Sequence, residues 1–309
     1  MKTPSGDWKT VMMMKEIKPG IFLIPGENKS LFPFCNCLYL KGKKLRVLVD
    51  AGMGHGRMKA CLDQGIDILI LTHCHFDHRS SISLIPEIPV WCHVDEVPYF
   101  QDRTAYLKGT GFLQSGLVDL MLERHPFPDL PIAKHLSHGE EINLGGLTLR
   151  VIHTPGHTPG HLAFYIPEAD VLFTADVALN LFGPFYGNAS SSIDDFIKSI
   201  RKLKAVGAAT VATSISGPLG DGLAKRFCRY EDSIYQRDER ILKALSTPMP
   251  LAGLLHRHLI FKNYFEPKAA SIWVEQVHIE KHLDRLLGMG KIKKEGDFYF
   301  LFTNHSIPA

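Results

Sequence analysis

Three imidazoles and a carboxylate crowd into the six residues His73-Cys74-His75-Phe76-Asp77-His78. They follow the apolar run Ile66-Asp67-Ile68-Leu69-Ile70-Leu71 and Thr72, the pattern of a buried strand that ends in a polar loop. A strand end is a rigid mount for ligands. His73 and His75 are two residues apart, and a turn there directs both rings toward one centre. Asp77 and His78 are adjacent, so their side chains diverge toward a second centre close by. Imidazole nitrogen and carboxylate oxygen are donors that a borderline divalent ion such as zinc accepts, with positions left for water. The plainer reading, a solvated polar loop, does not account for four potential ligands placed directly after an apolar strand.

Other elements carry the remaining candidates. The alternating strand Leu147 to Ile152 leads into His153-Thr154-Pro155-Gly156-His157-Thr158-Pro159-Gly160-His161. Proline and glycine, twice over, exclude a helix and make a tight loop able to hold an imidazole in one direction. Asp176 closes the strand Val171 to Thr174, and Asp50 closes Leu45 to Val49 ahead of glycines 52, 54 and 56. Ser192 opens a helix whose apolar stripe is Ile193, Phe196, Ile197, Ile200 and Leu203. A strand over 208–213 then runs into Ser214-Ile215-Ser216-Gly217-Pro218. His55, in the glycine-rich loop, and His93, after Val90-Trp91-Cys92, read as surface histidines.

Taken in order, Asp50-Ala51-Gly52, His-x-His-x-Asp-His, Thr-Pro-Gly-His-Thr-x-Gly-His and Phe-Thr-Ala-Asp resemble the motif set of the metallo-β-lactamase superfamily. The resemblance covers residues 15–227 and implies an α+β, αββα four-layer sandwich. It implies that His73, His75 and His157 hold one metal and that Asp77, His78 and Asp176 hold a second, with Asp176 as the bridge. Asp50 becomes the carboxylate that orients the histidine loop without touching metal. His161 and His153 fall to structural or hydrogen-bonding roles. The family's fifth motif supplies a histidine where this chain has Ser216. A hydroxyl is a poorer zinc donor than imidazole, so either water fills the gap, the second ion is weakly held, or the enzyme works with one.

With 309 residues, 45% hydrophobic and 22% charged, the chain can bury a full core. Thirty-five basic against 32 acidic residues leave a formal charge of +3, so no global field favours nucleic acid or an anionic membrane. Cys35, Cys37, Cys61, Cys74, Cys92 and Cys228 lack the spacing of a zinc ribbon or disulfide framework and read as reduced thiols. No apolar run reaches membrane-helix length and no signal peptide is evident, so a cytoplasmic protein is expected. Residues 1–14 read as a polar N-terminal segment in which Met12, Met13 or Met14 is an alternative start.

Residues 228–309 read as a helical linker and a small domain. Helices over 229–245, 251–261 and 271–287 precede a hairpin around Glu295-Gly296-Asp297, a winged-helix-like pattern. Lys281, Arg285, Lys291, Lys293 and Lys294 offer phosphate contacts, but Glu275, Glu280, Asp284, Glu295 and Asp297 interleave with them. Nucleic-acid binding is therefore not expected, and a lid or homo-oligomer contact is preferred.

The chemistry implied is metal-dependent hydrolysis. One or two zinc ions, with iron as the other possible metal, would make hydroxide available at neutral pH, and Asp77 would orient it or take its proton. A small ester, thioester or lactone is the expected small-molecule substrate. Three alternatives stand: a mononuclear-iron persulfide dioxygenase-like enzyme using His73, His157 and Asp176; a nuclease acting through the winged-helix module; and a metal-binding regulatory module without turnover. No Gly-x-Ser-x-Gly elbow, Walker loop or Rossmann fingerprint supports other chemistries.

Overall fold

A computed structural model describes residues 14–302 of the chain. The polar segment expected over residues 1–14, with its alternative starts, lies outside the described residues apart from Met14.

The chain begins with an antiparallel meander of β1 (Lys15–Lys18), β2 (Ile21–Ile24), β3 (Cys37–Lys41) and β4 (Arg46–Val49). Helix α1 (His55–Leu62) then crosses to β5 (Ile68–Ile70), which lies parallel to β4. β6 (Val90–His93) follows, and four short helices, α2 (Val97–Gln101), α3 (Arg103–Thr110), α4 (Phe112–Ser115) and α5 (Val118–Arg124), lead to β7 (Lys134–Leu136). These seven strands form one sheet in sequence order. A second sheet holds β8 (Glu141–Asn143), β9 (Thr148–His153), β10 (Leu162–Ile166), β11 (Val171–Phe173) and, after helix α6 (Ile193–Val206), the parallel strand β12 (Thr210–Ala212).

Strand periodicity sorts the side chains into layers. Val151, Leu162, Phe164 and Phe173 face Leu38, Val47, Val49 and Ile70 of the first sheet in one dry core. The alternate residues Ile152, Ala163, Leu172 and Val211 face outward under the α6 stripe Ile193, Phe196, Ile197, Ile200 and Leu203. Met58 and Cys61 of α1 cover the outer face of the first sheet, over Tyr39, Leu48 and Leu69. Helix, sheet, sheet, helix is the four-layer sandwich expected. Ser192 caps α6 by accepting the Asp195 N–H at 3.3 Å, and Gly207 ends it at φ 70°.

Helix α7 (Leu223–Ala244) runs through the boundary expected at 227/228 and serves two cores. Phe227, Tyr230 and Ile234 pack with α6 on the second sheet. Ile241 and Leu245 pack instead with β13 (Met249–Pro250), α8 (Leu251–Leu255), α9 (Lys268–Gly288), β14 (Ile292–Glu295) and β15 (Phe298–Leu301), of which the three strands pair in the order β13-β15-β14.

Several expected features differ here. The helix expected over 251–261 stops at Leu255, because Leu259 and Ile260 turn into the core. Glu275, one of the acids interleaved with the basic residues, is fully buried and accepts the Ile260 and Phe261 N–H groups at 3.0 and 2.8 Å. Lys281 and Arg285, read as phosphate contacts, are engaged within the chain: Lys281 donates to the Ala189 and Ser191 carbonyls, and Arg285 pairs with Asp194 and Asp238. Among the described residues no helix is long and apolar enough to cross a membrane. Five cysteines are buried, Cys228 is exposed, and all six are free thiols.

Candidate metal centre

The His73–His78 loop leaves the C-terminal end of β5, the usual place for ligands in parallel sheets. The loop bearing His157 joins β9 to β10, and Asp176 follows β11. Both sheets thus deliver ligands to one edge of the sandwich. His73 Nε2, His75 Nδ1 and His157 Nε2 converge: His75 lies 2.9 Å from each of the other two, which are 3.2 Å apart. Asp176 Oδ2 stands 3.1 Å from His157 Nε2 and 3.9 Å from His73 Nε2.

Hydrogen bonding on the far side of each ring fixes what these atoms present. His157 Nδ1 is 2.8 Å from the Phe185 carbonyl, which can only accept, so Nδ1 carries a proton and Nε2 is the nitrogen free to serve as a ligand. Thr72 Oγ1 donates to Asp50 and accepts from His73 Nδ1 at 3.0 Å, which leaves His73 Nε2 as a lone pair too. Lone pairs and a carboxylate facing one another need a cation between them. Their separations approach the edge of about 3.3 Å that follows from metal–nitrogen distances of about 2.0–2.1 Å in a tetrahedron. The residues fit a divalent ion. Burial, and then the neighbouring histidines, hold His73 well below its usual range, and burial does the same for His75, so both rings are neutral as ligands must be.

A second cluster shares Asp176. His78 Nε2 lies 3.0 Å from Asp176 Oδ1 and 3.8 Å from Asp77 Oδ2. His78 Nδ1 is 2.7 Å from Asp50 Oδ2, so the buried Asp50 orients this ring. Burial opposes protonation of His78, but Asp50, Asp176 and Asp77 outweigh it and raise its pKa. Burial pushes Asp77 up to about 6 against the pull of His78. Burial also works to raise Asp176, but His78 and His157 hold it well below the carboxylate range. Among the described residues, Asp77, His78 and Asp176 are the three metal-type donors around this point. Ser216 is half-buried, and its backbone closes a turn with Thr213, N–H to Oγ1 at 2.9 Å and C=O from N–H at 2.7 Å.

The backbone is strained beside these ligands. Asp50 and Ala175, each at the end of a strand, have φ of 64° and 44°. A left-handed alanine costs roughly 1 kcal/mol or more, and it turns Asp176 back into the site.

His161 stays outside the ligand set. Its Nε2 accepts the Asp176 N–H at 3.2 Å and its Nδ1 meets Thr154 Oγ1 at 2.7 Å, with burial pushing its pKa to about 3. His153 Nε2 donates to the Pro159 carbonyl at 2.7 Å. His93, expected at the surface, is buried and stacks on His153 at 3.9 Å and 12°. The stacking explains the difference: two flat rings cover each other, and with Asp95 beside them they bring one donor atom each within 4.8 Å of one another, while His153 Nε2 is taken by the Pro159 carbonyl. His55 opens α1 and is exposed.

Sequence reasoning missed the groups that hold the ligand loops together. Glu96 is fully buried, and its Oε2 and Oε1 accept the Cys74 N–H at 2.8 Å and the Gly160 N–H at 2.9 Å, one from each histidine loop. Tyr230 OH donates to the Asp176 carbonyl at 3.1 Å. In the sequence Glu96 sits in Val94-Asp95-Glu96, with nothing to mark it as buried.

Residues 31–214, more than half of the chain, match the metallo-beta-lactamase superfamily, and the chain belongs to that superfamily. It is 34% identical over 132 residues to the probable metallo-hydrolase YqgX of Bacillus subtilis, covering 41% of this chain and 57% of that protein. It is 22% identical over 210 residues to an atrochrysone carboxyl ACP thioesterase of Aspergillus fumigatus, covering 65% and 56%. The chain thus spans little more than half the length of these curated relatives. A metallo-beta-lactamase family protein, TTHA1429 of Thermus thermophilus, superposes with a TM-score of 0.74 at 26% identity, over 93% of this chain and 100% of that one. The likeness therefore extends into the C-terminal region.

Proposed function

We propose that the chain is a zinc-dependent hydrolase of small thioesters, with esters and lactones as the neighbouring substrates. The observation that carries this reading is the convergence of His73, His75, His157 and Asp176 on one point, all four donor atoms lying within 4.8 Å of one another. A divalent ion held there supplies Lewis acidity, polarising a carbonyl and easing the ionisation of water. The chain's own residues do the rest. His73, His75 and His157 would hold the ion, and Asp176 reaches both clusters with its two oxygens. Asp77, one-fifth exposed and 3.8 Å from His78 Nε2, would accept a proton from attacking water. The thioesterase among the relatives supports the substrate class, and the family's hydrolases support the reaction.

The test is metal analysis of the purified protein followed by thiol release from a panel of short acyl thioesters. Zinc with thiol release that stops on chelation is the expected result. Iron with oxygen uptake on a persulfide, and no thiol release, would overturn it in favour of the iron oxygenase reading.

A further inference from the structure

His157 is oriented by a backbone carbonyl, that of Phe185, so no side chain at position 185 encodes the contact. What fixes that carbonyl is whatever holds the loop, and the holders come from the C-terminal region. Arg237 of α7, only 1% exposed, donates to the Phe182 carbonyl at 2.6 Å, the Pro184 carbonyl at 2.6 Å and Tyr186 OH at 2.7 Å. His278 of α9 donates through Nδ1 to the Val274 carbonyl and accepts the Tyr186 N–H at Nε2, 3.2 Å away. Phe185 is thus gripped on both sides in sequence. Tyr186 OH also meets His282 Nε2 at 2.6 Å, and His282 Nδ1 meets Asp238 at 2.6 Å. At Gly187 a Cβ would lie 2.5 Å from Val274 Cγ1 and 2.7 Å from His278 Cε1, so the loop lies directly against α9.

We infer that Arg237 and His278 are positioning residues for the metal: the C-terminal region clamps residues 182–187 and thereby aims the imidazole of His157. The inference rests on the metal-centre reading. It gives the C-terminal region a role at the active site that requires no contact with substrate. Deleting the clamp leaves the Phe185 carbonyl free to drift, and the ring then loses the partner that sets both its tautomer and its direction.

The test uses the full chain and zinc alone, with affinity read by chelator competition and geometry by the visible spectrum of the cobalt(II)-loaded protein. Arg237→Met and His278→Phe are expected to weaken zinc binding about tenfold or more and to change the cobalt spectrum. His278→Gln, which keeps an acceptor near the Nε2 position, restores both. Ile241→Ala, one turn along α7 and buried in the C-terminal core, lowers the melting temperature and leaves affinity and spectrum unchanged. Should Arg237→Met fail to fold, the two His278 variants decide the matter. Wild-type binding with unchanged affinity and spectrum in His278→Phe overturns the clamp alone, as does an equal loss in Ile241→Ala. A wild-type chain that binds no zinc overturns the metal-centre reading and the clamp with it.

Discussion

The two clusters on either side of Asp176 are built to different standards. The first has three imidazoles and a carboxylate oxygen converging on one point, and two of its rings are turned by partners behind them, Thr72 for His73 and the Phe185 carbonyl for His157. The second has one imidazole and two carboxylates. His78 has Asp50 behind it, so the clusters differ in donor number and not in support: four donors converge at the first and three at the second. The difference predicts one tightly held ion and one weakly held ion.

The strongest way to break that comparison is to remove ligands from each side in turn. His73→Ala and His157→Ala are expected to abolish retention of the first ion, a larger loss than the 10–100-fold typical of an outer partner. His78→Ala should leave that ion in place. Elemental analysis after dialysis separates these outcomes, and full occupancy in His157→Ala would remove it from the ligand set.

Glu96→Ala tests whether the two loops are braced as one unit. It orphans two buried N–H groups, at about 1–3 kcal/mol each, and lowers the denaturant midpoint accordingly. An unchanged midpoint would mean that water or another acceptor takes over.

Ser216→His sharpens the contrast from the weaker side. It is expected to raise affinity for the second ion, read as a shift from one toward two equivalents in a zinc titration. Unchanged stoichiometry would show that another residue already completes that cluster.

The smallest effect is expected from Ser192→Ala. Loss of the α6 cap costs about 1 kcal/mol and leaves metal content as in the wild type. A fall in metal content would tie the α6 terminus to the site more closely than the cap alone explains.

Legibility of the site followed sequence distance. His73, His75, Asp77 and His78 lie within six residues, and their spacing after an apolar strand displays the chemistry directly. His157 and Asp176 were recognisable from loop composition and motif order. The four layers were implied by the family resemblance, while alternation in β9 and the helical stripe of α6 marked the apolar faces of those two elements. What remained hidden depends on the tertiary meeting of distant segments. Glu96 matters because Cys74 and Gly160 come together around it, 22 and 64 residues away. Arg237 and Glu275 look like solvated charges on helices, and only the packed loop and the Ile260 turn against them make them interior groups. The Phe185 carbonyl has no side-chain signature at all.

Helix α7 bears on how such a chain can be inherited. Its first three turns close the outer face of the second sheet, and its last turns belong to the C-terminal core. A crossover that exchanged everything after residue 227 would cut the helix within its first duty, separating Tyr230 and Ile234 from Phe227 and the sandwich. Recombination at that point yields two incomplete folds, so the two regions are expected to descend together, with any viable junction lying before Leu223.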